Sequence, residues 1–363
     1  MIALLAGALL ATSPCDASWP LFSRYAEAFV AGDGRVIDRN ANDRSTSEGQ
    51  AYALFFSLVA NDRALFDRLL TWTEQNLAQN DLRKNLPAWH WGKRKDGSWG
   101  VIDPNSASDA DLWLAYDLLE AGRLWSDPRY TGLGKRILAN AAAREVAEVP
   151  GFGPALLPGP VGFRIDGGFR VNPSYAPPQL LRRFAALGEP WEKVRESSMR
   201  FLQLFAEGGA VPDWALAKGG HLVADPVTGR VGSYDAVRAY LWVGMMPERD
   251  ARLDGIGKGL FRAFDSSGTV PERIDAHSLA VRGTAPPGFY AALLPLAPQE
   301  MRPALEGHLL GARNKDGLYG SPAAYYDQNL ILFAQGFAES RYRFGSDGTL
   351  LPAWETRCLG RAR

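Results

Sequence analysis

Two stretches decide the fold, Ala51-Tyr52-Ala53-Leu54-Phe55-Phe56 and Leu112-Trp113-Leu114-Ala115-Tyr116. Each is apolar on every side of a helix, and a helix of that kind is buried. The segment between them, Asp62 to Gln79, reads differently. Its Leu65, Phe66, Leu69, Leu70 and Leu77 form one stripe, as expected of a helix with one face on a core and the other in water. Helical periodicity continues over about residues 20–31, 47–60, 62–79, 108–125, 127–146, 175–187, 190–206, 233–246, 248–264, 285–295, 298–310 and 323–340. Asp62, Asp127-Pro128, Pro190 and Pro298 are start signals that follow closely on the preceding helix. The spans therefore pair, an amphipathic helix with a uniformly apolar one. Six buried helices inside six amphipathic ones make an all-α (α/α)6 barrel. The inner helices then run parallel, and their N-termini open at one end.

The connections entering the inner helices, residues 80–107, 147–174 and 265–284, are long and rich in Gly and Pro. Long connections of this kind tend to carry function. Residues 221–232 read as a small β-hairpin. Ile2 to Ala11 form an apolar run too short to span a bilayer. With Thr12-Ser13-Pro14-Cys15-Asp16-Ala17 it reads as a signal peptide over residues 1–17. A single catalytic domain over 18–363 and a periplasmic or secreted location follow. Pro14 directly before Cys15 argues against a lipid anchor.

Lys plus Arg and Asp plus Glu are 40 each in 363 residues, so no net field favours nucleic acid or an anionic membrane. The 4 His are scattered without ligand spacing, and no metal or cofactor site is expected. The unusual entries are 11 Trp beside 12 Tyr and 17 Phe. Trp113 and Trp242 fall inside helices and belong to the core. Trp89, Trp91 and Trp99 fall on a loop and suit stacking against sugar rings.

Acids sit where the inner helices begin. Glu48 follows Ser45-Thr46-Ser47, Asp109 lies in Ser108-Asp109-Ala110-Asp111, and Asp235 lies in Ser233-Tyr234-Asp235-Ala236. Each has an ordinary explanation. Glu48 complements a helix dipole, Ser108 and Asp111 fit a capping-box pattern that leaves Asp109 spare, and Asp235 pairs with Arg238 at i+3. The alternative is that the three converge on one cleft. Separated carboxyl groups among aromatic side chains suit the cleavage of glycosidic bonds, where one acid protonates the leaving oxygen and the other activates water. Burial would raise the proton affinity of Glu48, and Arg238 and Tyr234 would hold Asp235 as a base.

Ala107-Ser108-Asp109-Ala110-Asp111-Leu112-Trp113-Leu114-Ala115-Tyr116, continued to Trp125, resembles the signature of glycoside hydrolase family 8. Thr46-Ser47-Glu48-Gly49-Gln50-Ala51-Tyr52, Asn172-Pro173-Ser174-Tyr175, Tyr234-Asp235-Ala236-Val237-Arg238 and Tyr325-Tyr326-Asp327-Gln328-Asn329-Leu330 resemble further blocks of that family, in the same order. The resemblance runs closest to the periplasmic endoglucanases that accompany bacterial cellulose synthase. It implies an (α/α)6 barrel and inverting endo-hydrolysis of β-1,4-glucan (cellulose). It implies Glu48 as proton donor, Asp235 as general base and Asp109 as a sugar-orienting acid. Arg238, Tyr175 and Tyr326 would shape the central subsite, with Tyr234 beside them. Xylan or chitosan as substrate, or a glucan-binding partner of the cellulose export machinery, are the competing expectations.

Overall fold

A computed structural model describes residues 17–355. The signal peptide expected over residues 1–17 lies outside the described residues except for Ala17. Twelve α-helices occur among the described residues. They are α1 (Pro20–Phe29), α2 (Ser47–Val59), α3 (Arg63–Leu77), α4 (Ser108–Leu124), α5 (Pro128–Glu145), α6 (Pro178–Ala185), α7 (Trp191–Gly208), α8 (Ala236–Gly244), α9 (Lys258–Ser267), α10 (Pro287–Leu293), α11 (Arg302–Ala312) and α12 (Tyr325–Ala338).

Burial alternates along this order. Every residue from Gly49 to Val59 on α2 and from Ser108 to Gly122 on α4 is buried. Helix α1 buries only Phe22, Tyr25 and Phe29, and α11 only Leu305 and Leu309. The even helices touch one another in a closed ring, α2 to α4, α6, α8, α10, α12 and back to α2. Their partners α3, α5, α7 and α11 pack outside α2, α4, α6 and α10, and α1 packs outside α12. The result is the (α/α)6 barrel.

Aromatic side chains fill the barrel axis. Trp113 of α4 lies 5.0 Å from Phe55 of α2 and 5.4 Å from Trp242 of α8, ring centre to ring centre. Phe333 of α12 lies 5.1 Å from Trp242 and 5.2 Å from Tyr52. Edge-to-face and tilted pairs at these distances are favourable beyond their buried area. A hairpin of Tyr342–Phe344 and Leu350–Pro352 packs at the C-terminal end of α12, with Phe344 stacked 6.4 Å from Phe55. The Tyr116 hydroxyl donates to the Gly348 carbonyl at 2.8 Å, so this hairpin closes the floor of the barrel.

Four other small sheets occupy the connections that enter the inner helices. The expected hairpin over 221–232 is shifted. His221–Ala224 pairs backward with Ala215–Lys218, and Val231–Gly232 pairs with Arg273–Asp275. Asp225 is the cause of the change of direction. Its Oδ2 accepts from Val227 N and Thr228 N, at 3.0 and 2.8 Å, and so folds residues 225–229 into a turn. Two expected helices are also interrupted. Pro177 and Pro178 separate a 3₁₀ turn at Pro173–Tyr175 from α6, because proline supplies no amide hydrogen. Gly257 caps α9 in the left-handed region (φ +81°) and separates it from a 3₁₀ turn at Ala251–Leu253.

Candidate active site

The inner helices present their N-termini to a common mouth, and each functional side chain is set there by its own local device. On α2 the Thr46 side chain caps the helix, accepting from Gly49 N at 3.2 Å. Ser47 N donates to the Trp89 carbonyl at 3.1 Å, which ties this turn to the strand His90–Lys93. A Cβ on Gly49 would fall 1.9 Å from the Tyr325 hydroxyl, so only glycine lets α12 come this close behind Glu48. The Glu48 carboxyl accepts from Ser47 Oγ at 3.2 Å. Burial pushes its pKa above the ordinary carboxylate value, while Arg238, the Ser47 hydroxyl and Arg44 pull the other way.

Across the mouth, Arg238 of α8 is the organising group. It is 5% exposed. Its Nη1 donates to Asp109 Oδ2 at 2.9 Å and to the Tyr52 hydroxyl at 3.3 Å. Its Nη2 donates to Asp235 Oδ1 at 2.8 Å and to Ser174 Oγ at 3.0 Å. Its guanidinium carbon lies 5.5 Å from the centre of the Tyr175 ring. One cation thus serves two acids directly and a third, Glu48, through its field. Asp109 is 1% exposed. Its pKa is pushed up to about 8, chiefly by burial and further by Glu48 and Asp235, against the pull of Arg238. Three carboxylates against one guanidinium leave a net negative cluster if all ionise, which favours a retained proton in the site.

Asp235 precedes the first residue of α8. Its Oδ2 accepts from Trp214 Nε1 at 3.1 Å. The expected hold by Tyr234 is not found. The Tyr234 ring packs 5.1 Å from Phe289, and its carbonyl accepts from the Tyr326 hydroxyl. Trp214 takes the place foreseen for Tyr234. It lies parallel to Phe163 at 5.7 Å, 5.9 Å from Tyr175, with the Arg170 guanidinium 4.7 Å above it. Next to it in sequence, Asp213 Oδ1 accepts the amides of Ser233, Asp235 and Ala236 at 2.8, 3.1 and 2.8 Å. Burial and the neighbouring Asp235 charge push Asp213 up to about 6. Asp213 carries no signal in the sequence, since it follows Pro212 at the start of a strand and no helix. Trp214 has only its ring to distinguish it from ten other tryptophans.

The capping box expected at Ser108 and Asp111 does not form. Ala107 is the cap residue of α4 and makes no side-chain cap bond. Asp111 instead points inward to Glu145 at the end of α5, and both are fully buried. No donor reaches either oxygen of Asp111 or Oε2 of Glu145 among the described residues. Ser106 Oγ donates to Oε1 of Glu145 at 2.6 Å. One proton shared between the two carboxyls would pair Glu145 Oε2 with one oxygen of Asp111. Burial and the Glu145 charge push Asp111 well above the ordinary range, and burial raises Glu145 to about 7.

The aromatic residues divide. Tyr175 and Tyr326 border the Arg238 cluster, and burial and nearby acids raise the Tyr175 hydroxyl, whereas the Tyr234 ring packs on Phe289 and Tyr326 and is half-exposed. Trp89 lies beside the Glu48 turn, its ring 4.8 Å from His90. Trp91 and Trp99 stack on each other at 5.3 Å, with Arg35 4.3 and 4.7 Å above them and Trp72 of α3 at the edge of Trp91. Their contacts run toward the outer helix, not toward the carboxyl cluster.

Comparison with known proteins identifies the family. The sequence matches the family model for glycosyl hydrolases family 8 over residues 1–340. It is 46% identical to an endoglucanase of Xanthomonas axonopodis pv. citri (strain 306), covering 97% of this chain and 94% of that one. It is 43% identical to an endoglucanase of Escherichia coli (strain K12), covering 98% and 96%. The crystal structure of an endo-1,4-D-glucanase from Vibrio fischeri ES114 superposes with a TM-score of 0.86 at 38% identity, covering 93% of this chain and 99% of that one. No helix among the described residues is long and apolar enough to cross a membrane. With its acid-lined barrel mouth and near full-length likeness to these enzymes, the chain belongs to glycosyl hydrolases family 8 and is a glycoside hydrolase.

Proposed function

We infer that the protein is an inverting endo-β-1,4-glucanase that trims cellulose in the periplasm or outside the cell during its synthesis and export. The observation that carries this is the unequal treatment of the two end acids. Glu48 sits in a half-buried position that raises its proton affinity, with only a hydroxyl as side-chain donor among the described residues. Asp235 accepts hydrogen bonds from the Arg238 guanidinium at 2.8 Å and from the Trp214 indole at 3.1 Å. Opposite environments on two carboxyl groups assign the acid and the base.

In one displacement, Glu48 gives its proton to the glycosidic oxygen as the bond from that oxygen to the anomeric carbon breaks. Water attacks that carbon from the opposite face and loses its proton to Asp235. The product anomer is inverted. Asp109, fixed by Arg238, orients the sugar at the cleavage point. Tyr175, Arg238 and Tyr326 line that central position, and Trp89, beside the Glu48 turn, supplies a face for a neighbouring sugar. The full-length similarity to proteins named endoglucanase supports a β-glucan over xylan or chitosan.

NMR of the products formed from a soluble cello-oligosaccharide tests the reaction. The α-anomer is expected first. Initial β-anomer would place a covalent intermediate on Asp109 or Asp235. Cleavage of xylan or chitosan alone would replace the substrate. Association with the export machinery is tested separately, by whether a Glu48→Gln strain exports cellulose of altered length.

A further inference from the structure

An aspartate immediately before a helix normally folds its carboxylate back onto the free amides of the first turn. Three of the four that occupy this position among the described residues do so. Asp62 accepts from Leu65 N at 2.9 Å, Asp127 from Arg129 N at 3.1 Å, and Asp250 from Arg252 N at 3.0 Å. Asp235 makes no such bond. The amides that would attract it are already taken. Asp213 Oδ1 accepts those of Ser233, Asp235 and Ala236. The amides of Val237 and Arg238 donate to the carbonyls of Ser233 and Asp235 at 3.0 and 3.1 Å. The Asp235 carboxylate is left facing the mouth. Trp214 Nε1 binds one of its oxygens and Arg238 the other.

We propose that Asp213 and Trp214 are positioning residues for the general base: Asp213 caps α8 from outside the helix, which keeps the Asp235 carboxylate off its own amides, and Trp214 fixes the direction it faces. This rests on the reading of Asp235 as the base. A carboxylate that caps a helix spends its lone pairs on amides and is a poorer proton acceptor. Moving the capping task to a neighbouring strand separates the structural role from the chemical one. The strand Ala215–Lys218 carries both residues in at its entrance, so one backbone register sets both contacts.

Three variants of the full chain test this on a soluble cello-oligosaccharide. Asp213→Ala is expected to lower kcat by about 10²-fold, the scale of a displaced catalytic group, with KM within about twofold. Asp213→Asn keeps an oxygen that can accept the amides, and is expected to recover most of that loss. Trp214→Phe keeps the ring that stacks on Phe163 but removes the donor. It is expected to lower kcat by about 10-fold, the scale of one hydrogen bond to a charged group, and to move the acid limb of the kcat profile to higher pH. A rise in KM with an unmoved pH profile would make Trp214 a sugar platform and overturn its part. A crystal structure of Asp213→Ala gives a readout that needs no substrate. The Asp235 carboxylate is expected to turn onto the amides of the first turn of α8. If it stays between Arg238 and Trp214, the capping role of Asp213 is wrong. If the wild-type chain cleaves no β-1,4-glucan, the functional reading fails while this structural result still decides the capping role.

Discussion

Glu120 of α4 and the acids at the barrel mouth are supplied with donors in opposite ways. Near the C-terminal end of that helix, Glu120 is fully buried and well supplied. It accepts from Arg123 Nε at 2.9 Å, Arg183 Nε at 2.6 Å and Leu350 N at 3.1 Å. At the mouth, Asp109 shares a single arginine with Asp235, Glu48 has only Ser47 for a side-chain donor, and Asp111 has no donor but another acid. Glu120, Asp109 and Asp111 are equally dry. The difference lies in the ratio of donors to acceptors. Glu120 holds the closing hairpin to the barrel and needs every lone pair filled. In the proposed mechanism the mouth leaves lone pairs and protons free for a substrate, and a shortage of donors in a buried place shifts proton affinities in the way catalysis uses.

The comparison breaks if the mouth acids prove structural. Glu48→Gln and Asp235→Asn are each expected to lower kcat by ~10²–10⁴-fold, the range of a lost general acid or base. Their melting temperatures should stay close to that of the parent. Loss of stability without loss of turnover would assign these acids to the scaffold. Glu120→Gln should do the reverse. Arg183 loses its charge partner while Arg123 keeps Glu355, and the melting temperature should fall by roughly 3–6 °C, discounted because both arginines are partly exposed. Turnover per folded molecule should remain within about twofold.

The smallest effect sharpens the comparison within the mouth itself. Asp111 and Glu145 have their proton affinities raised by burial, Glu145 to about 7. A group raised in this way contributes stability that is fully present below its unfolded value, about 4. That contribution is lost as pH rises through the folded value. Melting temperature should therefore decline between about pH 5 and pH 8. Asp111→Asn, which donates to Glu145 without titrating, should flatten the decline. An equal slope in parent and variant would remove the shared proton.

The alternation of buried and amphipathic helices could be read from periodicity because the inner helices have no polar face to disguise them. Where the reading slipped, a local device intervened, as with the proline pair before α6 and Gly257 before α9. Glu48, Asp109, Asp235 and Arg238 were legible because each sits in the first turn of an inner helix, and the barrel brings those turns together. Asp213 and Trp214 were not, since they reach Asp235 from a strand more than 20 residues upstream, and only sheet register brings them there. Asp111 was misread for a related reason. Its partner Glu145 ends the following helix, and nothing in Ser108-Asp109-Ala110-Asp111 says which way the second acid turns.

The aromatic stack along the barrel axis has a consequence for how a long polymer is handled. Tyr52, Trp113, Trp242 and Phe333 occupy the space through which a strand would have to thread, and the hairpin of Tyr342–Phe344 and Leu350–Pro352 seals the exit. A polysaccharide can approach only from the open face, lie across it and depart sideways after each cut. Such an approach needs no free chain end.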